Sequence, residues 1–240
     1  MSGRIYGCGK ARDKMSEYNW SKEAEKQWDE RSSGWNLMSK DMWETGSRKE
    51  ITPFFSKYAT PNGTVCDLGC GDGYGSFKLA ELGYIVTGMD VSEEMIHKAR
   101  ETNEGNTAQF IKGDIVNLPF ESDSFDAVLA INSLEWTEDP LKVVKEIQRI
   151  VKPNGFACIG ILGPTAAPRI NSYRRLYNEK VICNTMMPWE LVQLAEENGW
   201  EKVDSLGVYK RGVDQMPIGS LSAELRQALS FMWVSMLRKK

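Results

Sequence analysis

The sequence predicts a doubly wound α/β fold, a parallel sheet with helices on both faces, and three observations predict it. The strand-like segments are continuous apolar runs rather than alternating ones, as in a sheet covered on both sides. These runs alternate with segments of helical period. The first run empties into a loop with glycine at every second position, Gly69, Gly71 and Gly73. A strand that ends in such a loop and then enters a helix forms a nucleotide-type site in open α/β sheets.

The elements follow in order. Residues 1–15 mix glycine and basic residues without apolar period and are expected to be disordered. Ala24, Trp28 and Trp35 recur at or near helical spacing over 21–35, and 39–58 has a second helical character that stops at the turn signal Pro61-Asn62-Gly63. Strand 64–68 leads to helix 75–82, with Phe77, Ala80 and Leu82 inward. Strand 85–89 leads to helix 93–103, with Met95, Ile96 and Ala99 inward. Strands 108–112 and 125–131 come next, then helix 138–151 with Leu141, Val144, Ile147 and Val151 on one face, then strand 156–162. Gly163-Pro164 breaks the pattern, and 165–187 is polar, aromatic and irregular. Helix 188–197 ends at Asn198-Gly199, a C-cap signal, and strand 200–209 follows. After helix 221–229, the run Phe231 to Leu237 reads as a strand or as a short amphipathic helix.

The glycine spacing bears on the ligand. The dinucleotide fingerprint G-x-G-x-x-G needs a third glycine where this chain has Tyr74. Asp67 sets a carboxylate before the first glycine, which repels a pyrophosphate and suits a ligand with an amine. S-adenosylmethionine carries an adenosine, an ammonium and a sulfonium, and no phosphate. Asp90 lies 19 residues after Gly71 at the end of the second run, the place of a ribose-binding carboxylate in a βαβ unit. Asp114 ends the third run, where it can accept a hydrogen bond from an adenine amino group. One such acid is commonly a turn former or helix cap; three at successive strand ends form a constellation.

These segments resemble the class I S-adenosylmethionine-dependent methyltransferases, and most of all the broad group of ubiquinone/menaquinone-pathway C-methyltransferases and small-molecule methyltransferases. Val65 to Gly73 matches the first motif, Gly88-Met89-Asp90-Val91-Ser92 the second, and Gly113 to Phe120 the adenine-side motif. Ser124 to Val128 opens the fourth strand, and Leu141 to Gly155 matches the helix and turn before the fifth; in that turn Asn154 stands where the family usually has glycine. The resemblance spans about 61–163. It implies a Rossmann-like, mostly parallel seven-stranded sheet with an antiparallel last strand. It implies a donor site of Asp67, Gly69, Cys70, Gly71, Asp90, Val91, Met95, Asp114, Ile115 and Asn132. Residues 1–60 would form a helical cap and 61–240 the core, with 164–187 as a lid. The product of the donor is S-adenosylhomocysteine. The acceptor would be a small molecule.

Methyl transfer from a sulfonium needs alignment more than a catalytic group. Glu135, after the fourth strand, is a candidate base, but its more ordinary reading is a solvated loop acid or the cap of the helix near residue 138. His97, the only histidine, falls on the outer face of its helix. Trp43, Arg48 and Tyr177 are candidates for the acceptor pocket, while Trp28 and Trp35 read as residues that glue the N-terminal helix to the sheet. A non-catalytic donor-binding or sensor protein is the alternative function.

Composition bounds the rest. A net charge of −3, from 30 basic and 33 acidic residues without a clustered basic face, argues against nucleic acid. Five cysteines without a C-x-x-C pair and a lone histidine argue against a metal site. No apolar stretch is long enough to span a bilayer, and no secretory signal is present, so a cytoplasmic protein with reduced thiols is expected, monomeric or homodimeric.

Overall fold

The computed structural model describes residues 18–102 and 107–240. The expected disordered segment 1–15 and the end of helix 93–103 lie outside the described residues.

Seven strands form one sheet: β1 (Thr64–Leu68), β2 (Ile85–Asp90), β3 (Ala108–Lys112), β4 (Phe125–Ile131), β5 (Val151–Leu162), β6 (Trp200–Tyr209) and β7 (Ser230–Lys239). Their order is β3-β2-β1-β4-β5-β7-β6. All neighbouring pairs are parallel except those made by β7, which runs antiparallel to both β5 and β6. The run at 231–237 is therefore a strand. Chain order reverses between β1 and β4. Loops at the carboxyl ends of those two strands diverge and leave a crevice.

Apolar side chains of the central strands alternate between two cores. Cys66, Leu68, Val128 and Ala130 pack on one face with α5 (Pro140–Ile150), α6 (Pro188–Glu197) and Trp200. Val65, Ala127 and Leu129 pack on the other with α2 (Ile51–Ser56), α3 (Tyr74–Glu81) and α4 (Glu93–Thr102). Met95, Ile96 and Ala99 of α4 are buried, as their spacing requires.

Three expectations need correction. The expected helices over 21–35 and 39–58 are instead one helix, α1 (Trp20–Glu44), followed by the short α2. Asn19 caps α1 by accepting from the Lys22 N–H. Gly34 and the serines around it weaken a helix interior, but Trp43 packs into the core below and Ser39 donates to Asp72, and these contacts carry the helix through. In α3, Leu79 is the buried apolar residue and Leu82, past the helix end, is largely exposed. Helix α5 starts at Pro140, because Asp139 caps it by accepting from the Lys142 N–H. That start puts Val143, Val144, Ile147 and Ile150 inward, leaves Leu141 exposed, and makes Val151 the first residue of β5.

Candidate functional site

The loop after β1 holds three left-handed glycines, with φ of +73° at Gly69, +56° at Gly71 and +78° at Gly73. A side chain would be strained at each. A Cβ on Gly69 would also fall 2.5 Å from the Ser133 Cβ, so the loop can lie against the end of β4 only without one. The loop is pinned to β2: Gly69 and Cys70 N–H groups both donate to the Met89 carbonyl, at 2.7 and 3.0 Å, and the Gly71 N–H donates to Asp90 Oδ2 at 2.9 Å. Asp90 also accepts from the Ser92 N–H at 2.9 Å. Burial pushes its carboxyl above the usual range, opposed by these backbone donors.

Asp114, after β3, accepts from the Val116 N–H at 3.0 Å and from the Ser21 hydroxyl of α1. Asn132, after β4, adopts a positive φ of 54° and donates to Glu135 Oε1 at 3.2 Å. Together these loops and α1 enclose a cavity of about 310 Å³. Gly69, Gly71, Asp90, Val91, Met95, Asp114, Ile115 and Asn132, all proposed from sequence, lie on its wall.

Other predicted residues fall elsewhere. Asp67 is buried beside the cavity, accepting from the Ser76 hydroxyl at 2.6 Å; burial pushes its pKa up to about 6, against the pull of Ser76 and Arg48. Cys70 turns into the core, where burial raises its thiol pKa. Glu135 is neither solvated nor a helix cap: it is 0% exposed, and its Oε1 accepts from the Leu162 N–H at 2.9 Å as well as from Asn132. It ties the ends of β4 and β5 together, away from the cavity wall, and burial raises its pKa. Trp43 packs in the core, filling the space above Gly75. Arg48 is buried with its guanidinium 4.7 Å from the Trp35 ring and 5.5 Å from the Trp43 ring; desolvation lowers its pKa to about 10, opposed by Asp67, Asp72 and Glu135. Tyr177 is 58% exposed on the 3-10 helix Ala167–Tyr177 and stacks edge-on with Tyr173. His97 is exposed beside Glu101.

Sequence reasoning took Trp28 and Trp35 of α1 for structural glue; they are instead part of the cavity wall, which the turn after β4 completes. Trp20, Ser21, Ala24, Trp28 and Trp35 line the cavity from α1, and Ser133 and Trp136 from the turn. Trp28 meets Trp35 and Trp136 edge-to-face, with ring centroids 5.8 and 5.5 Å apart. The signal was present: Trp28 and Trp35 are seven residues apart, two turns along one face of a single helix.

Residues 66–159 match a protein-family model described as a methyltransferase domain. The chain is 31% identical over 152 residues to the biotin biosynthesis bifunctional protein BioHC of Teredinibacter turnerae, an alignment that takes in 58% of this chain and 27% of that one. It is 39% identical over 110 residues to the demethylmenaquinone methyltransferase of Lactococcus lactis subsp. lactis, covering 42% of this chain and 43% of the relative. The chain thus spans less than half the length of either relative. Among solved structures, the protein bound to the Trm112 methyltransferase activator of Haloferax volcanii superposes with a TM-score of 0.70 at 19% identity, over 90% of this chain and 97% of that one, which speaks to the fold. The fold is the Rossmann-like one of that neighbour, and its residues 66–159 carry the methyltransferase-domain match. Over residues 66–159 the chain is similar to the class I S-adenosylmethionine-dependent methyltransferases, whose methyl donor is S-adenosylmethionine.

Proposed function

We propose that this chain transfers a methyl group from S-adenosylmethionine to a small-molecule acceptor and releases S-adenosylhomocysteine. The observation that carries the reading is the meeting, on one cavity wall, of the left-handed glycine loop with Asp90 and Asp114. Asp90 offers a carboxylate for ribose hydroxyls, and Asp114 one for the adenine amino group. Val91, Met95 and Ile115 supply apolar surface for the base between them. The glycine backbone admits the aminoacyl end without a side chain in the way.

Bound S-adenosylmethionine supplies a methyl group already activated on sulfur. The protein's part is positioning and exclusion of water, worth on the order of 7–11 kcal/mol when well aligned. Helix α1 does the excluding: Trp20, Trp28 and Trp35 roof the cavity and Ser21 latches onto Asp114. Trp43, Arg48, Tyr177 and Glu135 have no part in this reading, because none of them is on the cavity wall.

Calorimetry and labelled donor test it. S-adenosylhomocysteine binds the purified protein, Asp90→Ala weakens that binding by at least 100-fold, and NAD does not bind. Transfer of labelled methyl to any acceptor ends the alternative of a non-catalytic donor-binding protein. Failure of both S-adenosylmethionine and S-adenosylhomocysteine to bind sinks the proposal.

A further inference from the structure

The part of the cavity that the donor reading leaves over has a definite character. Its wall is indole: Trp20, Trp28, Trp35 and Trp136. Its mouth is acidic, formed by Glu138 and Asp139 with Lys142 beside them. The same Glu138 and Asp139 also border an open depression floored by Pro140, Leu141, Met186 and Leu194 and edged by Glu190. An apolar groove with acidic edges therefore adjoins a tryptophan-lined chamber.

Charge decides what such a path admits. Outside the donor contacts, Glu138, Asp139 and Glu190 are three carboxylates, set against the single cation Lys142 on these walls. Asp139 accepts from the Lys142 N–H, but that bond leaves its charge in place. An acceptor bearing a carboxylate would approach against this field, whereas an ammonium is drawn in. The indoles suit the same visitor, because tryptophan faces attract cations. Arg31 already lies 5.5 Å from the Trp28 ring and Arg48 4.7 Å from the Trp35 ring, so among the described residues Trp20 and Trp136 are the wall indoles left for a visiting cation. A third observation is independent of charge. Ser133 and Trp136 on this wall are each only 8% exposed, and the Ser133 hydroxyl and the Trp136 indole N–H are buried without a hydrogen-bond partner. The Ser133 oxygen thus has an unused acceptor position beside the cavity.

Resting on the methyl-transfer reading, we infer that the acceptor is a primary or secondary amine on a compact apolar body, methylated at nitrogen. The acidic mouth draws it in as an ammonium, and its body trails along the groove. The ammonium gives its proton to solvent at the mouth. Its nitrogen lone pair then forms the new N–C bond as the methyl–sulfur bond breaks, leaving that electron pair on sulfur and the positive charge on the methylated nitrogen.

Three probes that share one body and differ in head group test this by calorimetry on protein saturated with S-adenosylhomocysteine. The expected result is that 2-phenylethylamine binds at least tenfold tighter than 2-phenylethanol, and phenylacetate weakest. In the Glu138→Gln/Glu190→Gln variant the advantage of the amine over the alcohol falls at least threefold, with S-adenosylhomocysteine affinity unchanged. Equal or tighter binding of the alcohol or the acid overturns the inference, as does binding of none of the three. Failure of S-adenosylhomocysteine itself to bind strikes the donor reading instead, and is seen before any probe is added.

Discussion

At Asp67, burial and hydrogen bonding pull in opposite directions. The carboxyl is enclosed, and its pKa rises to about 6 from 3.8 although the Ser76 hydroxyl and the charge of Arg48 favour ionisation. A raised pKa means the folded protein holds this proton more tightly than the unfolded chain. Stability from this group is thus complete below about pH 4 and lost as pH rises through about 6. Two pH units correspond to about 3 kcal/mol. Asp67→Asn stays neutral and still accepts from Ser76. It should match the wild type in urea unfolding at pH 4 and exceed it at pH 7.5 by up to about 3 kcal/mol; parallel stability at the two pH values would refute this. The sequence placed Asp67 correctly at the end of β1 but could not tell which way its side chain turns. The same blindness applies to Glu135. As the acid of a short turn it reads as solvated, and only the convergence of Leu162 and Asn132 on its carboxylate shows it to be a buried strut.

Helix α1 is held by polar contacts to the loops it covers. Ser39 and Asn36 donate to Asp72 at 2.8 and 3.0 Å, Ser92 donates to Asp29 at 2.5 Å, and Lys112 pairs with Glu25 at 2.6 Å. Asp72 is the buried anchor among these carboxylates. Asp72→Ala leaves the Ser39 hydroxyl buried without an acceptor and should cost about 2–4 kcal/mol. Amides of α1 should exchange hydrogen faster while those of β4 and β5 stay protected, and affinity for S-adenosylhomocysteine should fall because the roof loosens. Exchange in α1 as slow as in the wild type would show that apolar packing alone holds it. Most of the sheet was legible because β1, β2, β4 and the second half of β5 are mainly apolar runs bounded by glycine, proline or asparagine. Helix α1 was not, because what carries it past Gly34 is Asp72 and the core beneath Trp43, both remote in sequence. For the same reason Trp28 and Trp35 looked like structural glue: their role as a cavity wall exists only once the helix is unbroken and lies over the strand ends.

Across the whole molecule, the cavity joins parts that the sheet alone connects only in its middle. Asp90 and Asp114 come from the β2 and β3 side, Asn132 and Ser133 from the β4 side, and the tryptophans from α1. A ligand that touches all three binds the folded chain and not the unfolded one, so it stabilises by mass action. At a free concentration of about 100 times Kd the gain is about 2.7 kcal/mol. For a domain of 240 residues, each kcal/mol raises Tm by about 2–4 °C. S-adenosylhomocysteine at that concentration should therefore raise Tm by about 5–11 °C in a circular-dichroism melt. NAD at the same concentration should leave Tm unchanged, because Tyr74 stands where the dinucleotide loop needs glycine and no cation on the cavity wall faces a pyrophosphate except Lys142 at the rim. An equal shift with NAD would mean that the cavity selects adenosine alone. The discrimination expected here comes from the acids and the glycine loop acting together, so Asp90→Ala should reduce the S-adenosylhomocysteine shift to that of NAD.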